Sequence, residues 1–340
     1  IQESPSPIGE VLHTLAWLRK GATPVLLARA MGLVLPNGDW DVGAAQEYLD
    51  TVAQLTLVKV RSGDGRIFLH DELYALMEKH ILRACSREER DRVLQAALDY
   101  CDDVARDLTR RMDRASLILP LIHARLRHAH AERMHYRLRY RPELGYVLYF
   151  WLAEEALNGR DAEMDMLLRS EFLRTMRLVQ EAGPDGGLDP QMVELDIAVR
   201  WAMRTLFFRD DPAGALDIFD RIEAHWAAEV EELELGWLHM QPYCAAACIE
   251  RAEDGDWSRA RDLLSGVEQR IEATGDLNQA SPPAGWPDAA PTSARDRGMP
   301  ASASALEGRR LLVRTLQAQA LSYEGYLDQQ QGRYAAAVEH

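Results

Sequence analysis

One stretch limits the architecture more than any other: Leu55 to Asp71, "LTLVKVRSGDGRIFLHD". Two runs rich in β-branched and aromatic residues flank Ser62-Gly63-Asp64-Gly65. A short Gly/Asp loop is what a hairpin needs, because its turn residues must take positive φ. Most of the remaining chain reads with a helical period. Apolar residues recur three and four positions apart, broken by Gly, Pro and Asp turns. The chain of 340 residues is therefore expected to be mainly α, with one hairpin near its start.

Three helical segments precede the hairpin. Ile8 to Lys20 is apolar at helical spacing. Thr23-Pro24 then offers an N-cap followed by Pro at the first helical position, and Gly32 closes that helix. A polar turn, "PNGDW", leads to a third helix from Val42 to about Leu55. Three helices and then a hairpin is the order of a winged helix, so residues 1–82 are expected to form such a domain. Residues 83–200 read as a helical connector with degenerate repeats. Residues 201–340 read as tetratricopeptide-like helical hairpins stacked into an α-solenoid. Their signature is a small, an aromatic and another small residue at fixed helical offsets: Gly255, Trp257, Ala260 and Leu264, and again Gly332, Tyr334 and Ala337. Looser copies carry Ala215, Phe219 and Ile222, and "NGRDAEMDMLL". Small residues let two helices approach, and the aromatic fills the space beside them. Such pairs bury their apolar faces only by stacking. The segment 276–308 has five prolines and many Ala, Ser and Gly, and is expected to be a loop, with Trp286 and Met299 as its apolar handles.

Charge and residue content exclude several chemistries. The net charge of −15 disfavours broad binding to nucleic acid or an anionic membrane. No apolar run approaches the ~18 residues of a membrane span. The four cysteines, Cys85, Cys101, Cys244 and Cys248, form no disulfide framework, and a reducing cytoplasm is the expected setting. Cys244 and Cys248 lie four apart on an apolar helix and read as core; no metal site is expected. The lysines are Lys20, Lys59 and Lys79, and none sits in a G-x-x-x-x-G-K-[ST] loop. G-x-S-x-G, H-E-x-x-H and G-x-G-x-x-G are absent too, so no catalytic residue is assigned and the chain is not expected to be an enzyme. "NGDWDVG" hints at a calcium loop, but Val42 and Tyr48 stand where Gly and Glu are required. The basic stretch His123–Arg141 reads as a solvated face carrying Arg125, Arg133 and Arg137. Its apolar side would be Leu121, Leu126, Met134 and Leu138, with Asp102, Asp103, Asp107 and Asp113 near enough in sequence to offset the charge. DNA binding through the third helix is disfavoured because "VGAAQEYLDTVAQL" holds Glu47 and Asp50 and no Arg or Lys.

The hairpin ends in Leu69-His70-Asp71, and helical repeats follow. In this order the chain resembles the C-terminal part of a STAND-class signalling ATPase of the NB-ARC type, whose winged helix ends in a Met-His-Asp signature; Leu stands here for Met. The resemblance implies that His70 contacts the phosphates of ADP held by an upstream nucleotide-binding domain. It implies that Asp71 braces His70 or caps the next helix. It also implies a solenoid groove that binds a protein or peptide trigger, with oligomerisation on activation. On this view the chain is the regulatory half of a longer polypeptide: it begins with Ile and stops inside a helical pattern. No cofactor is expected within it; ADP or ATP would belong to the parent. The alternatives are a DNA-binding regulator and a pure interaction scaffold. For His70-Asp71 itself the competing reading is a strand-end pair at the start of a helix.

Overall fold

The computed structural model describes residues 7–112, 119–181, 190–226, 234–273 and 305–333. They are mainly helical, with one two-stranded antiparallel sheet among them. No helix among them is long and apolar enough to cross a membrane. They form two compact units, one drawn from residues 1–149 and 167–184, the other from residues 150–166 and 185–340. The expected boundaries at 82/83 and 200/201 were drawn from texture along the chain, whereas these units reunite segments distant in sequence.

The first unit begins with α1 (Pro7–Trp17), α2 (Pro24–Met31) and α3 (Val42–Val52). The Thr23 hydroxyl accepts from the Leu26 amide, Pro24 opens α2, and Gly32 ends it at φ 71°. Each feature satisfies backbone groups that a helix end would otherwise leave open. The Asp41 carboxylate caps α3 through the Ala44 amide at 2.9 Å. Strands β1 (Val58–Val60) and β2 (Ile67–Leu69) pair with Val58 opposite Leu69 and Val60 opposite Ile67. Ala22, between α1 and α2, bridges to Ile67 and so adds a one-residue third strand. Gly21 makes that approach possible: it sits at φ 82°, and the Phe68 ring occupies the place of its missing Cβ. Then come α4 (Asp71–His80), a 3₁₀ turn (Leu82–Ala84), α5 (Arg87–Met112) and α6 (Leu119–Tyr140). One core joins them, with Leu15, Leu26, Leu27, Leu49, Ile67, Leu69, Leu94 and Leu98 buried together beside Tyr136.

The basic stretch corrects an expectation. It lies on α6, where Arg125 is exposed and Met134 and Leu138 are buried as expected, but Arg133 and Arg137 are buried too and Leu121 of the expected apolar face is 63% exposed. Arg133 lies 2.6 Å from Asp102, one of the acids whose neighbourhood was expected. Arg139 donates at 2.9 Å to the Trp17 carbonyl at the end of α1, and Arg66 of the hairpin donates at 3.1 Å to the Lys20 carbonyl. Arginine forks from elsewhere thus satisfy carbonyls around the α1 C-terminus. His135 is buried as well. Its Nδ1 lies 2.8 Å from Glu171 and 2.9 Å from the Thr175 hydroxyl. Glu171 also receives Lys20 and Arg174. Glu171 lies on α8 (Ala162–Glu181), as does Phe172, which stacks at 3.9 Å on Tyr149 of α7 (Pro142–Asn158).

The second unit holds α9 (Pro190–Arg209), α10 (Pro212–Trp226), α11 (Glu234–Arg251), α12 (Asp256–Ala273) and α13 (Ala305–Gln330). Helix α9 packs on α10 and α11, and α11 packs on α10, α12 and α13. Two of the described connections, ahead of α8 and α10, place an aspartate cap after a left-handed residue; ahead of α12 a left-handed residue also occurs, but its aspartate lies inside the helix. Asp210 takes φ 57° and Asp211 accepts from the Gly214 amide at 2.8 Å. Arg160 takes φ 51° ahead of Asp161, which accepts from Met164. Ala252 takes φ 54°, and Asp256 accepts from the Glu253 amide. Ala215, Phe219, Ile222, Ala260 and Leu264 are buried as expected of their pattern, but Trp257 is 38% exposed. Cys244 and Cys248 are buried in the core. Residues 274–304 lie outside the described set, and with them Trp286 and Met299 of the expected loop; Ala305 to Gly308, its last four residues, belong to α13 instead. Tyr334 and Ala337 also lie outside it.

Glu154 is the polar centre of this unit. It is buried, and it accepts from Arg200 at 3.0 Å, His239 at 2.9 Å, Gln319 at 2.9 Å and the Tyr243 hydroxyl. Burial alone raises a carboxyl pKa; His239, Arg200 and Gln319 outweigh it and hold Glu154 below the usual range. Removing this acceptor leaves Arg200 with Asp196 as its carboxylate partner but takes from His239, Tyr243 and Gln319 the buried oxygens they share. Glu154→Ala is expected to lower stability by about 3–5 kcal/mol in denaturant unfolding. Arg160→Ala, which removes an exposed pair with Asp210, should change it by less than about 1 kcal/mol.

A pH dependence follows from His135. Burial pushes its pKa down to about 3, because Glu171 is already matched by Lys20 and cannot keep the imidazole charged. The unfolded chain protonates this His near pH ~6.5. Between those values the unfolded state binds the extra proton, so stability falls as pH falls, by up to about 1.4 kcal/mol per pH unit. His135→Gln should flatten the stability–pH curve between about pH 6 and 4, measured by urea unfolding.

Candidate functional site

The hairpin sorts its last three residues by direction. Side chains alternate along a strand, so a register with Leu69 opposite Val58 turns both to the same face. That face is the core: Leu69 is 2% exposed. Its amide donates to the Tyr74 hydroxyl at 3.3 Å. Burial pushes the Tyr74 phenol up to about 12, so it stays protonated. One position on, His70 is exposed. Its backbone is tied down on both sides. The amide donates to the Leu57 carbonyl at 3.1 Å, and the carbonyl accepts from Leu73 and Tyr74 as α4 begins.

His70 is the N-cap residue of α4, at φ −62° and ψ 149°, yet its side chain makes no capping bond. The helix opens one residue earlier than expected, at Asp71. This residue is therefore inside the helix and does not cap it; its carboxylate is exposed and pairs with Lys59 of β1 at 3.1 Å. The expected brace thus links helix to hairpin and leaves the imidazole alone. Physically the end of β2 is a fixed backbone that presents an exposed imidazole beside the N-terminus of a ten-residue helix. A helix N-terminus favours anions, and an imidazole N–H can donate to a phosphate oxygen. Asp71 and Glu72 in the first turn work against a second anion.

The other sequence candidates fall elsewhere. In the calcium-like turn, Asn37 and Asp39 bond to each other at 2.8 Å and 3.1 Å. His130 and His135 are spent inside the first unit, where burial depresses both. One group that the linear sequence does not reveal comes together in space: His13, Cys85 and Glu89, brought from three separate elements. No family model matches the chain, and neither a curated protein nor a solved structure does.

Leu69 and His70 should respond in opposite ways to truncation. Leu69→Ala removes a buried side chain and is expected to cost about 2–5 kcal/mol of stability. His70→Ala should stay within about 0.5 kcal/mol of the parent chain in the same thermal or urea unfolding experiment.

Proposed function

We propose that this chain is the regulatory part of a STAND-type signalling ATPase, in which His70 senses the phosphates of ADP held by an upstream domain. The observation that carries the reading is the sorting at the hairpin end, with Leu69 anchored inward and His70 left outward on a pinned backbone. Three helices, a one-residue strand at Ala22 and a hairpin support a winged-helix domain. Helix pairs joined by short capped turns, packed α9 on α11 and α11 on α13, support a tetratricopeptide-like solenoid. Its groove would take a protein or peptide trigger, and trigger binding would release His70 from ADP, a two-state element that a ligand biases. Exposed Val34, Leu35, Trp40 and Val42 around α3 supply apolar area for contact with a neighbouring domain. The exposed positions of α3 include Gln46, Glu47, Asp50 and Thr51, a surface suited to protein and not to a phosphate backbone. The chemistry of hydrolysis would belong to the parent, in the cytoplasm, and this part would supply no catalytic residue.

The test is His70→Ala in the parent ATPase. Bound ADP should dissociate faster by at least about tenfold, the scale of losing one charge-assisted hydrogen bond, and basal activity should rise. Unchanged ADP retention and unchanged basal activity would reduce His70 to a strand-end residue.

A further inference from the structure

The strongest unassigned cluster lies within the first unit. His13 projects from α1, Cys85 follows the 3₁₀ turn, and Glu89 lies in the first turn of α5. His13 Nε2 is 2.9 Å from Cys85 Sγ, and His13 Nδ1 is 3.1 Å from a Glu89 oxygen. One ligand atom from each residue fits within 4.8 Å of the others, and the group is the only one of its kind among the described residues. It spans 72 positions between His13 and Cys85, so the fold assembles it and local sequence does not. We infer that His13, Cys85 and Glu89 form a three-ligand site for zinc.

The donor set suits that ion. Thiolate, imidazole and carboxylate are the three ligand types zinc takes, and three protein ligands leave a fourth position for water. The site is reachable: the side chains of His13 and Glu89 are 21% and 36% exposed, and Cys85 is half-buried. Zinc binds the thiolate form of Cys85, so binding releases a proton. On binding, Cys85 loses its proton to solvent and exchanges its contact with the Ile81 carbonyl, now at 3.3 Å, for a bond to the metal. His13 ligates through Nε2, the nitrogen that faces the sulfur, and the Glu89 carboxylate leaves Nδ1, now 3.1 Å away, to reach the ion. The remaining cysteines, Cys101, Cys244 and Cys248, are buried and provide an internal control. A bound ion would tie α1 to the start of α5, two helices that share the core with the hairpin.

The test uses the whole chain, stripped with a chelator and titrated with zinc against a chromophoric competitor. One equivalent should bind. Zinc should slow iodoacetamide labelling of Cys85, read by peptide mass spectrometry, at least about tenfold, and leave the buried cysteines unaffected. Cys85→Ala and His13→Ala should each weaken binding at least about tenfold, with helix content checked by circular dichroism. If His13→Ala loses helix content, the labelling experiment on the unaltered chain and Cys85→Ala decide. Failure to compete for zinc, labelling of Cys85 that zinc does not slow, or full binding by Cys85→Ala would each overturn the assignment.

Discussion

A carboxylate withdrawn from water must be surrounded by donors, and each of the two units is organised around one. Glu171 in the first unit holds Lys20, Arg174, His135 and Thr175. Glu154 in the second holds Arg200, His239, Tyr243 and Gln319. Burying such a group is costly in isolation, and the cost is offset only when every donor arrives with good geometry. The donors come from distant parts of the chain, so each carboxylate also specifies which segments must meet. Glu171 collects the turn between α1 and α2 and the middle of α6; Glu154 collects α9, α11 and α13.

The same logic explains the inward-facing arginines of α6. A guanidinium buried beside Asp102 or against the Trp17 carbonyl is a local fork that only one arrangement of helices satisfies. The α1–α2 turn is thereby fixed, Ala22 reaches Ile67, and the hairpin acquires its register. That register in turn decides that Leu69 goes in and His70 comes out. A slip of one residue would exchange them.

Much of the local structure was legible in the sequence. Thr23-Pro24 and Gly32 bound α2 because capping is a short-range matter, and Ser62–Gly65 turns the hairpin for the same reason. What was missed is non-local. Arg133 and Arg137 look like a solvated face until the fold buries them, Arg133 beside Asp102 of α5. Trp257 fits a packing pattern yet stays partly exposed, because a pattern states the offset and not the neighbour. Asp71 reads as a cap because acids favour helix starts, but Lys59 draws its carboxylate toward the hairpin instead. The His13–Cys85–Glu89 cluster had no signal at all, since its members share no spacing.

The central claim is that His70 is half of a site whose other half lies on a neighbouring domain. The most direct measurement is an experimental structure of this chain within the proposed ATPase, with ADP bound. The account predicts an imidazole nitrogen of His70 at about 2.7–3.2 Å from a phosphate oxygen, with Leu69 still buried behind it. An ADP-bound structure in which His70 faces water and the phosphates are held wholly by other groups would contradict it.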